Sequence, residues 1–464
     1  MPIAIIGSGY VGLVVAACLA ELGHEVVCAD IDEKKIAALN AGETPIHEDY
    51  LPELLARYRG RSLTFTTCLA DAVETATIIY IAVGTPTKAD CHADLSFVES
   101  ATREIARSSK RYRVLVEKST VPVGTGARIQ SEMMLHGWRE GDFAVVSNPE
   151  FLREGTAVTD FLFPDRIVVG ADSERAAAIM HDLYAPLLDG SYARRPGSVP
   201  RPDNARAVPG YFPTSQKSAE IIKHASNAFL AMKLSFINAV AGIAEEAGAD
   251  IGEICKGIGS DARIGPAFLR PGIGYGGPCL AKDVIAFQSV AREYGLKFGL
   301  MEETERTNEA QAPRFIAKVH QALGSLRGKR LAVLGLAFKG GTDDVRNSPA
   351  IKVINVLRRE GAGIVAFDPA AIGRAREILG DEVGYAADPY EALRGAEALL
   401  ILTDWKEFES LDLARVRESL ASPVVIDGRN LFSREQMMQA RLNYFSIGRE
   451  AVRLAPTMDP SLRS

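Results

Sequence analysis

A glycine-rich run near the middle of the chain, Gly272-Ile273-Gly274-Tyr275-Gly276-Gly277-Pro278-Cys279, delivers one cysteine to the start of a predicted helix. Lys282 and Asp283 follow one turn later. A helix N-terminus carries partial positive charge and free N–H donors, which favour a thiolate. Asp283, four residues after Cys279, shares its helix face. That arrangement suits a nucleophilic thiol. A buried structural cysteine fits the local sequence as well, so the remainder of the chain has to decide between them.

Three other groupings could do chemistry. Lys223 and Asn227 are four apart in a long apolar helical stretch, so they share a face. They form either a hydrogen-bonding site in a cleft or a surface pair. Glu150 and Glu154 are four apart after a predicted strand at 144–147. They could orient water or bind sugar hydroxyls, or remain solvated. Lys339, Arg346 and Arg429 lie beyond the ends of predicted strands near the C-terminus. Cations there suit phosphate groups, with solvated surface charge as the alternative.

A separate element begins at the N-terminus. Residues 3–6 form a continuous apolar run, as in a buried parallel strand. Gly7-Ser8-Gly9-Tyr10-Val11-Gly12 follows, then an apolar helix at 13–22 and a strand at 25–29 ending at Asp30. Strand, GxGxxG turn, helix, strand and acidic residue together form a dinucleotide-binding fingerprint. Gly7, Gly9 and Gly12 permit the tight turn and close approach of a pyrophosphate at the helix N-terminus. Asp30 accepts ribose hydroxyls and repels a 2′-phosphate, which selects NAD over NADP. Asp32 and Lys35 are further ribose candidates. Predicted strands at 77–83 and 113–117 end near Thr85 and Thr120, which are cofactor contacts or ordinary helix caps.

Residues 190–213, rich in Pro, Arg and Gly, read as an irregular insertion. Helices are predicted at 215–247, 280–294 and 303–323. A second β-α-β order follows: strand 329–335, helix 349–360, strand 363–367 ending at Asp368, then strands 396–402 and 423–426. Its first turn lacks the dinucleotide fingerprint, so a nucleoside-diphosphate ligand fits better than a second NAD. The expectation is an α/β chain with two Rossmann-like doubly wound domains joined by a long-helix central domain. The boundaries fall at 1–213, 214–324 and 325–464.

Composition narrows the function. The chain has 464 residues and a net charge of −6, with no basic block, which argues against a nucleic-acid partner. No apolar run reads as membrane-spanning, and no basic, apolar leader opens the chain. The six cysteines, Cys18, Cys28, Cys68, Cys91, Cys255 and Cys279, are scattered without a CxxC pair. That argues for a reducing compartment, hence the cytoplasm, and against a metal site.

Read along the whole chain, the motifs resemble the UDP-glucose/GDP-mannose dehydrogenase family. They are GSGYVG at 7–12, NPEFLREGTA at 148–157, the Lys223/Asn227 helix, RIG at 263–265, GYGGPC at 274–279 with Lys282-Asp283, GLAFKGGTDDVRNSP at 335–349 and DGRN at 427–430. The resemblance implies oxidation of a sugar primary alcohol to a carboxylate with two NAD⁺, with UDP-glucose going to UDP-glucuronate. GDP-mannose, UDP-N-acetylmannosamine and a two-electron hydroxyacid oxidation are alternatives, and a non-catalytic NAD-binding regulator is a third class. Cys279 would hold the aldehyde as a thiohemiacetal and then a thioester. Lys223 would stabilise oxyanions, Asn227 would hydrogen-bond beside it, Asp283 would move protons, and Glu154 would assist hydrolysis with Thr120 near it.

The resemblance further implies that Tyr10, Val11, Glu154, Lys282 and Arg346 join the cofactor site. It places Glu150, Phe151, Leu152, Arg153, Phe268, Leu269, Gly272, Gly274, Tyr275, Gly276 and Lys339 on the substrate. Arg263 would reach a substrate across a subunit boundary, Arg429 would meet the uridine diphosphate end, and a homodimer or larger homo-oligomer is implied. Pro278 and Leu280-Ala281 depart from the usual family residues around the nucleophile, and 194–213 is longer than usual. Both departures bear on sugar specificity.

Overall fold

The computed structural model describes residues 1–86, 88, 92–108, 111–195 and 199–454; Cys91 and residues 196–198 of the Pro/Arg-rich segment lie outside them. The chain separates into two compact units. One is Met1–Ser226 with Ile285–Lys297, and the other is Asn227–Val284 with Phe298–Ser464.

The first unit is built on one sheet of β1 (Pro2–Ile6), β2 (Glu25–Ala29), β3 (Leu63–Thr66), β4 (Ile78–Ile81), β5 (Arg113–Glu117), β6 (Phe143–Ser147), β7 (Arg166–Ala171) and β8 (Gly210–Thr214). Their order is β3-β2-β1-β4-β5-β6-β7-β8. Every pairing is parallel except β6 with β7. Both faces of β1 are covered: Ile3 and Ile5 enter one core cluster with the Tyr10–Glu21 helix, and Ala4 and Ile6 enter another. That is why the strand reads as an unbroken apolar run. Strand order reverses between β1 and β4, where doubly wound sheets bind ligands beyond their carboxyl ends.

The second unit carries β9 (Arg330–Leu334), β10 (Gly363–Phe367), β11 (Gly384–Tyr385), β12 (Ala398–Ile401), β13 (Val424–Asp427) and β14 (Asn443–Ser446). Their order, β11-β10-β9-β12-β13-β14, repeats that of the first six strands, and all pairings are parallel. Leu331 and Val333 face one cluster, Ala332 and Leu334 another. The expectation of two doubly wound α/β halves holds, with the long helix Gln216–Ala247 between them in sequence.

Some expectations change. The stretch predicted as one helix at 303–323 forms two, Gly299–Glu309 and Gln311–Leu323. Pro313 lacks the N–H that would continue the ladder, and proline is tolerated in a helix's first turn. The stretch expected to be irregular at 190–213 holds a short helix, Ser191–Arg194, and runs into β8, Gly210–Thr214. Pro213 is compatible with β8 because that strand is the sheet edge. The Gln216–Ala247 helix is also long and apolar enough to cross a membrane by length and composition. It nevertheless buries Glu220 and Lys223 within the protein.

Backbone crowding fixes the first turn. Gly7 has φ +102°, and a Cβ there would lie 2.6 Å from the Ala82 carbonyl oxygen. A Cβ on Gly12 would lie 1.9 Å from the Gly7 carbonyl oxygen, whereas Gly9 faces open space. We predict that Gly12→Ala lowers the melting temperature and abolishes NAD binding, because a collision with backbone cannot relax cheaply. Calorimetric melting and NAD titration check this; wild-type values in both would refute the packing account.

Candidate active site

In the first unit the dinucleotide turn is held by Asp30. Its Oδ2 accepts the Ser8 N–H at 2.7 Å and the Ser8 hydroxyl at 2.8 Å, with Lys35 Nζ at 3.3 Å. Burial raises the Asp30 pKa, but hydrogen bonds from Asp32 and Ser8 and the Lys35 charge outweigh it and hold it below its ordinary value. A carboxylate kept ionised at the end of β2, beside an open Gly9, fits an adenosine ribose and pyrophosphate. Asp32 caps the Glu33–Ala41 helix through the Lys35 N–H. Thr85 and Thr120 are brought together: the Thr85 hydroxyl donates to the Thr120 carbonyl at 2.7 Å. Thr85 therefore ties the β4 and β5 ends instead of capping a helix.

The ends of β5 and β6 and the long helix build a buried charge cluster. Lys223 Nζ lies 2.7 Å from Glu150 Oε1, with both side chains less than a tenth exposed. Burial alone would raise the Glu150 pKa, but the Lys223 charge and hydrogen bond, the Leu152 N–H and Lys118 together lower it. Lys118 Nζ donates to Asn148 Oδ1 at 3.1 Å. Burial pulls its pKa down to about 8, with Glu150 resisting and Lys223 adding to the fall. Glu220 accepts the N–H groups of Gly124 and Gly126, at 2.6 and 2.9 Å. Glu117 is pushed well above the usual carboxyl range, first by burial and then by the Glu220 charge. Phe151 lies under Arg166, 3.8 Å from ring centroid to guanidinium, and nearer that cation than Lys223. Arg153 is committed to Asp160, with Nε 3.0 Å from Oδ2. Glu154 is buried. Lys118, Glu117 and Glu220 are additions to the sequence-derived set. The polar strand end at 117–120 hinted at Glu117 and Lys118, and Glu220 lies at the margin of the Lys223/Asn227 helix face in the sequence.

In the second unit the cysteine loop is threaded where side chains cannot go. A Cβ on Gly276 would lie 2.4 Å from the Asn347 carbonyl oxygen, and one on Gly277 2.8 Å from the Phe338 ring. Gly274 has φ +98°. Asn308 brackets Tyr275, accepting its N–H at 2.8 Å and donating to its carbonyl at 3.1 Å. Asn238 accepts the Gly272 N–H at 2.8 Å. Asn238 lies eleven residues beyond Asn227, three helical turns, so its periodicity was a usable signal. Asn308 offered none.

The loop ends at Cys279, which is exposed and directly precedes the Leu280–Glu293 helix. The Asp283 N–H donates to the Cys279 carbonyl at 2.9 Å, so Cys279 occupies the N-cap. Its exposure argues against a buried structural role. Asp283 is buried; its Oδ2 accepts Asn227 Nδ2 at 2.5 Å, and its Oδ1 has no hydrogen-bond partner among the described residues. Asn227 thus orients Asp283, and Lys282 Nζ lies 3.8 Å from that carboxylate.

Arg429 donates to the carbonyls of Leu402, Phe338 and Gly274, at 2.8, 3.2 and 3.4 Å. Its guanidinium knits three loops at the strand ends. Arg346 is paired with Asp344, Lys339 is partly exposed beside Phe338, and Arg263 points to solvent paired with Asp261. Phe268 has φ +62° and Leu269 is buried. Asp368, the counterpart of Asp30, is fully buried and accepts from Leu336, Ala337 and Trp405. No carboxylate is left for a ribose there, which agrees with a ligand other than a second NAD. No group of His, Cys, Asp and Glu among the described residues could hold a metal.

Residues 1–188 match the NAD-binding domain, 217–310 the central domain and 332–434 the UDP-binding domain of one family. The chain belongs to the UDP-glucose/GDP-mannose dehydrogenase family. It is 45% identical over 452 residues to a UDP-glucose 6-dehydrogenase of Bacillus subtilis, covering 97% of this chain and 94% of that protein. It is 43% identical to one from Rhizobium meliloti, covering 97% and 100%. A UDP-glucose dehydrogenase structure from Pyrobaculum islandicum aligns with TM-score 0.83 and 36% identity over 96% of both chains. A UDP-D-ManNAc dehydrogenase from Pyrococcus horikoshii aligns with TM-score 0.81 and 30% identity over 97% and 100%. As a member of this dehydrogenase family, the chain is an NAD-dependent oxidoreductase with a nucleotide-sugar substrate.

The Glu150–Lys223 pair yields a prediction. Glu150→Gln leaves Lys223 buried without its counter-ion, which costs about 3–5 kcal/mol. Because the Glu150 pKa is depressed in the fold, its contribution is complete above the ordinary glutamate value and is lost as pH falls through the folded value. The melting-temperature gap between wild type and Glu150→Gln is therefore expected to be large at neutral pH and to close on acidification. A gap independent of pH would contradict the pairing.

Proposed function

We propose that this chain oxidises UDP-glucose to UDP-glucuronate by removing four electrons from C6. The observation that carries the reading is Cys279, exposed at the N-cap of a helix whose first turn holds an Asn227-oriented Asp283. A two-electron alcohol oxidation has no use for such a thiol. When bound at the dinucleotide turn, NAD⁺ would supply the electron sink, with a fresh NAD⁺ taking one hydride from C6 in each of the two successive oxidations. Between them, the Cys279 thiolate adds to the aldehyde, forming a C–S bond and an alkoxide that Lys223 stabilises. The second oxidation leaves a thioester on Cys279. Water, assisted by Glu154 with Thr120 beside it, adds to the carbonyl; the C–S bond breaks, the thiolate departs and a carboxylate remains. Asp283 carries the protons released along the way.

The same reading assigns Lys339 and Arg429 to the uridine diphosphate and Arg346 to the cofactor pyrophosphate. The proposed functional division is 1–213, 214–324 and 325–464. A homodimer formed through the long helix is part of the proposal: Phe229, Phe236 and Ile243 are exposed at seven-residue spacing, an apolar stripe suited to a second helix. Arg263 then reaches the partner's substrate. Among the described residues Cys18, Cys28, Cys68, Cys255 and Cys279 form no disulfide, and a reducing, cytoplasmic setting is part of the proposal.

UDP-N-acetylmannosamine is the second candidate substrate, on the strength of the Pyrococcus horikoshii structure. We expect wild-type enzyme to oxidise UDP-glucose, and Cys279→Ser to bind NAD⁺ and UDP-glucose normally while forming no UDP-glucuronate. Product chromatography and titration check both. Normal acid formation by the serine variant would refute the nucleophile, and activity confined to UDP-N-acetylmannosamine would replace the substrate.

A further inference from the structure

Glu48 lies outside every motif considered above, in the segment between the Glu33–Ala41 and Leu51–Tyr58 helices. It is nevertheless 4% exposed. Its Oε2 accepts the Gly155 N–H at 2.7 Å and also the Tyr10 hydroxyl. Its Oε1 accepts the Val158 N–H at 3.4 Å. The Gly155 N–H is shared, since it also lies 2.9 Å from the Tyr10 hydroxyl. Burial pushes the Glu48 pKa up to about 7 against hydrogen bonds from Gly155, Val158 and Ala157.

Two loops meet at this carboxyl group. Tyr10 belongs to the dinucleotide turn, one residue after the open Gly9. Gly155 directly follows Glu154, and its φ of +83° makes it the point where that loop bends. Glycine is permissive at positive φ, so its own conformation does little to fix the direction of the peptide that precedes it. The direction of the Glu154–Gly155 peptide is therefore set by what holds its N–H, and that is Glu48 together with Tyr10.

We propose that Glu48 is a positioning residue that locks the Glu154 loop to the dinucleotide turn. It touches neither the reacting carbon nor the thiol. It fixes the peptide carrying Glu154, so that Glu154 points correctly only when the turn around Tyr10 is in place. The proposal rests on the reading of Glu154 as the residue that assists thioester hydrolysis.

Glu48→Gln keeps the shape but turns one acceptor into a donor facing backbone N–H groups. The expected result with UDP-glucose and NAD⁺ is a fall in kcat of about tenfold, the scale of a lost hydrogen bond to a charged group. Accompanying it, a sugar acyl adduct on Cys279 accumulates and is visible by intact-protein mass spectrometry. Glu154→Gln should accumulate the same adduct and wild type should not. A variant that was merely less stable would lose activity without trapping acyl-enzyme. Should Glu48→Gln fail to fold, Tyr10→Phe removes only the shared hydroxyl and should trap a smaller fraction of the same adduct. Wild-type turnover in Glu48→Gln, or lost activity without adduct while Glu154→Gln does trap it, overturns the proposal. If Glu154→Gln also traps nothing, the hydrolytic reading of Glu154 falls, and the role of Glu48 falls with it.

Discussion

The cysteine loop of the second unit is packed so closely that a side chain is crowded out at four of its positions, Gly272, Gly274, Gly276 and Gly277. Gly276 and Gly277 lie against the Asn347 carbonyl and the Phe338 ring at distances that exclude a Cβ. Those contacts, with Asn238 and Asn308 gripping the loop's amides, leave Cys279 little freedom. The residue is exposed yet held at the N-cap, where backbone donors and the helix dipole favour a thiolate. The role proposed for that thiol requires this combination: accessibility to substrate together with a fixed direction of attack.

The first unit solves a different problem, that of keeping charge inside a protein. Glu150 and Lys223 neutralise each other, while Lys118 and Glu117 are driven toward their neutral forms by burial. Such a cluster is expensive to build. It sits at the carboxyl ends of β5 and β6, beside the Thr85–Thr120 tether. Perturbed groups gathered at strand ends are what a site that moves protons and stabilises oxyanions requires.

Much of this was legible in the sequence because it is local. The dinucleotide turn, Asp30 and the cysteine at a helix start each depend on residues within a few positions of one another, and steric rules read directly on such spans. The apolar strands β1, β9 and β10 announced themselves because both sheet faces are covered. Strands β8 and β14 did not, since they form the edges of their sheets, where polar residues and Pro213 are tolerated. Glu48, Lys118 and Asn308 act on residues far away in the chain, and no local pattern marks a side chain whose partner is a distant amide. Asn238 was the exception, readable from helical periodicity. Three cations suggested phosphate binding, but only the structure shows Arg429 engaged with carbonyls of the loops it joins.

The central claim is that one carbon is oxidised twice on a single thiol. The most direct measurement is the number of NADH molecules formed per UDP-glucose consumed, taken to completion with limiting sugar nucleotide and excess NAD⁺. The account predicts two, with UDP-glucuronate as the product. One NADH per sugar, with product at the aldehyde level, would contradict it.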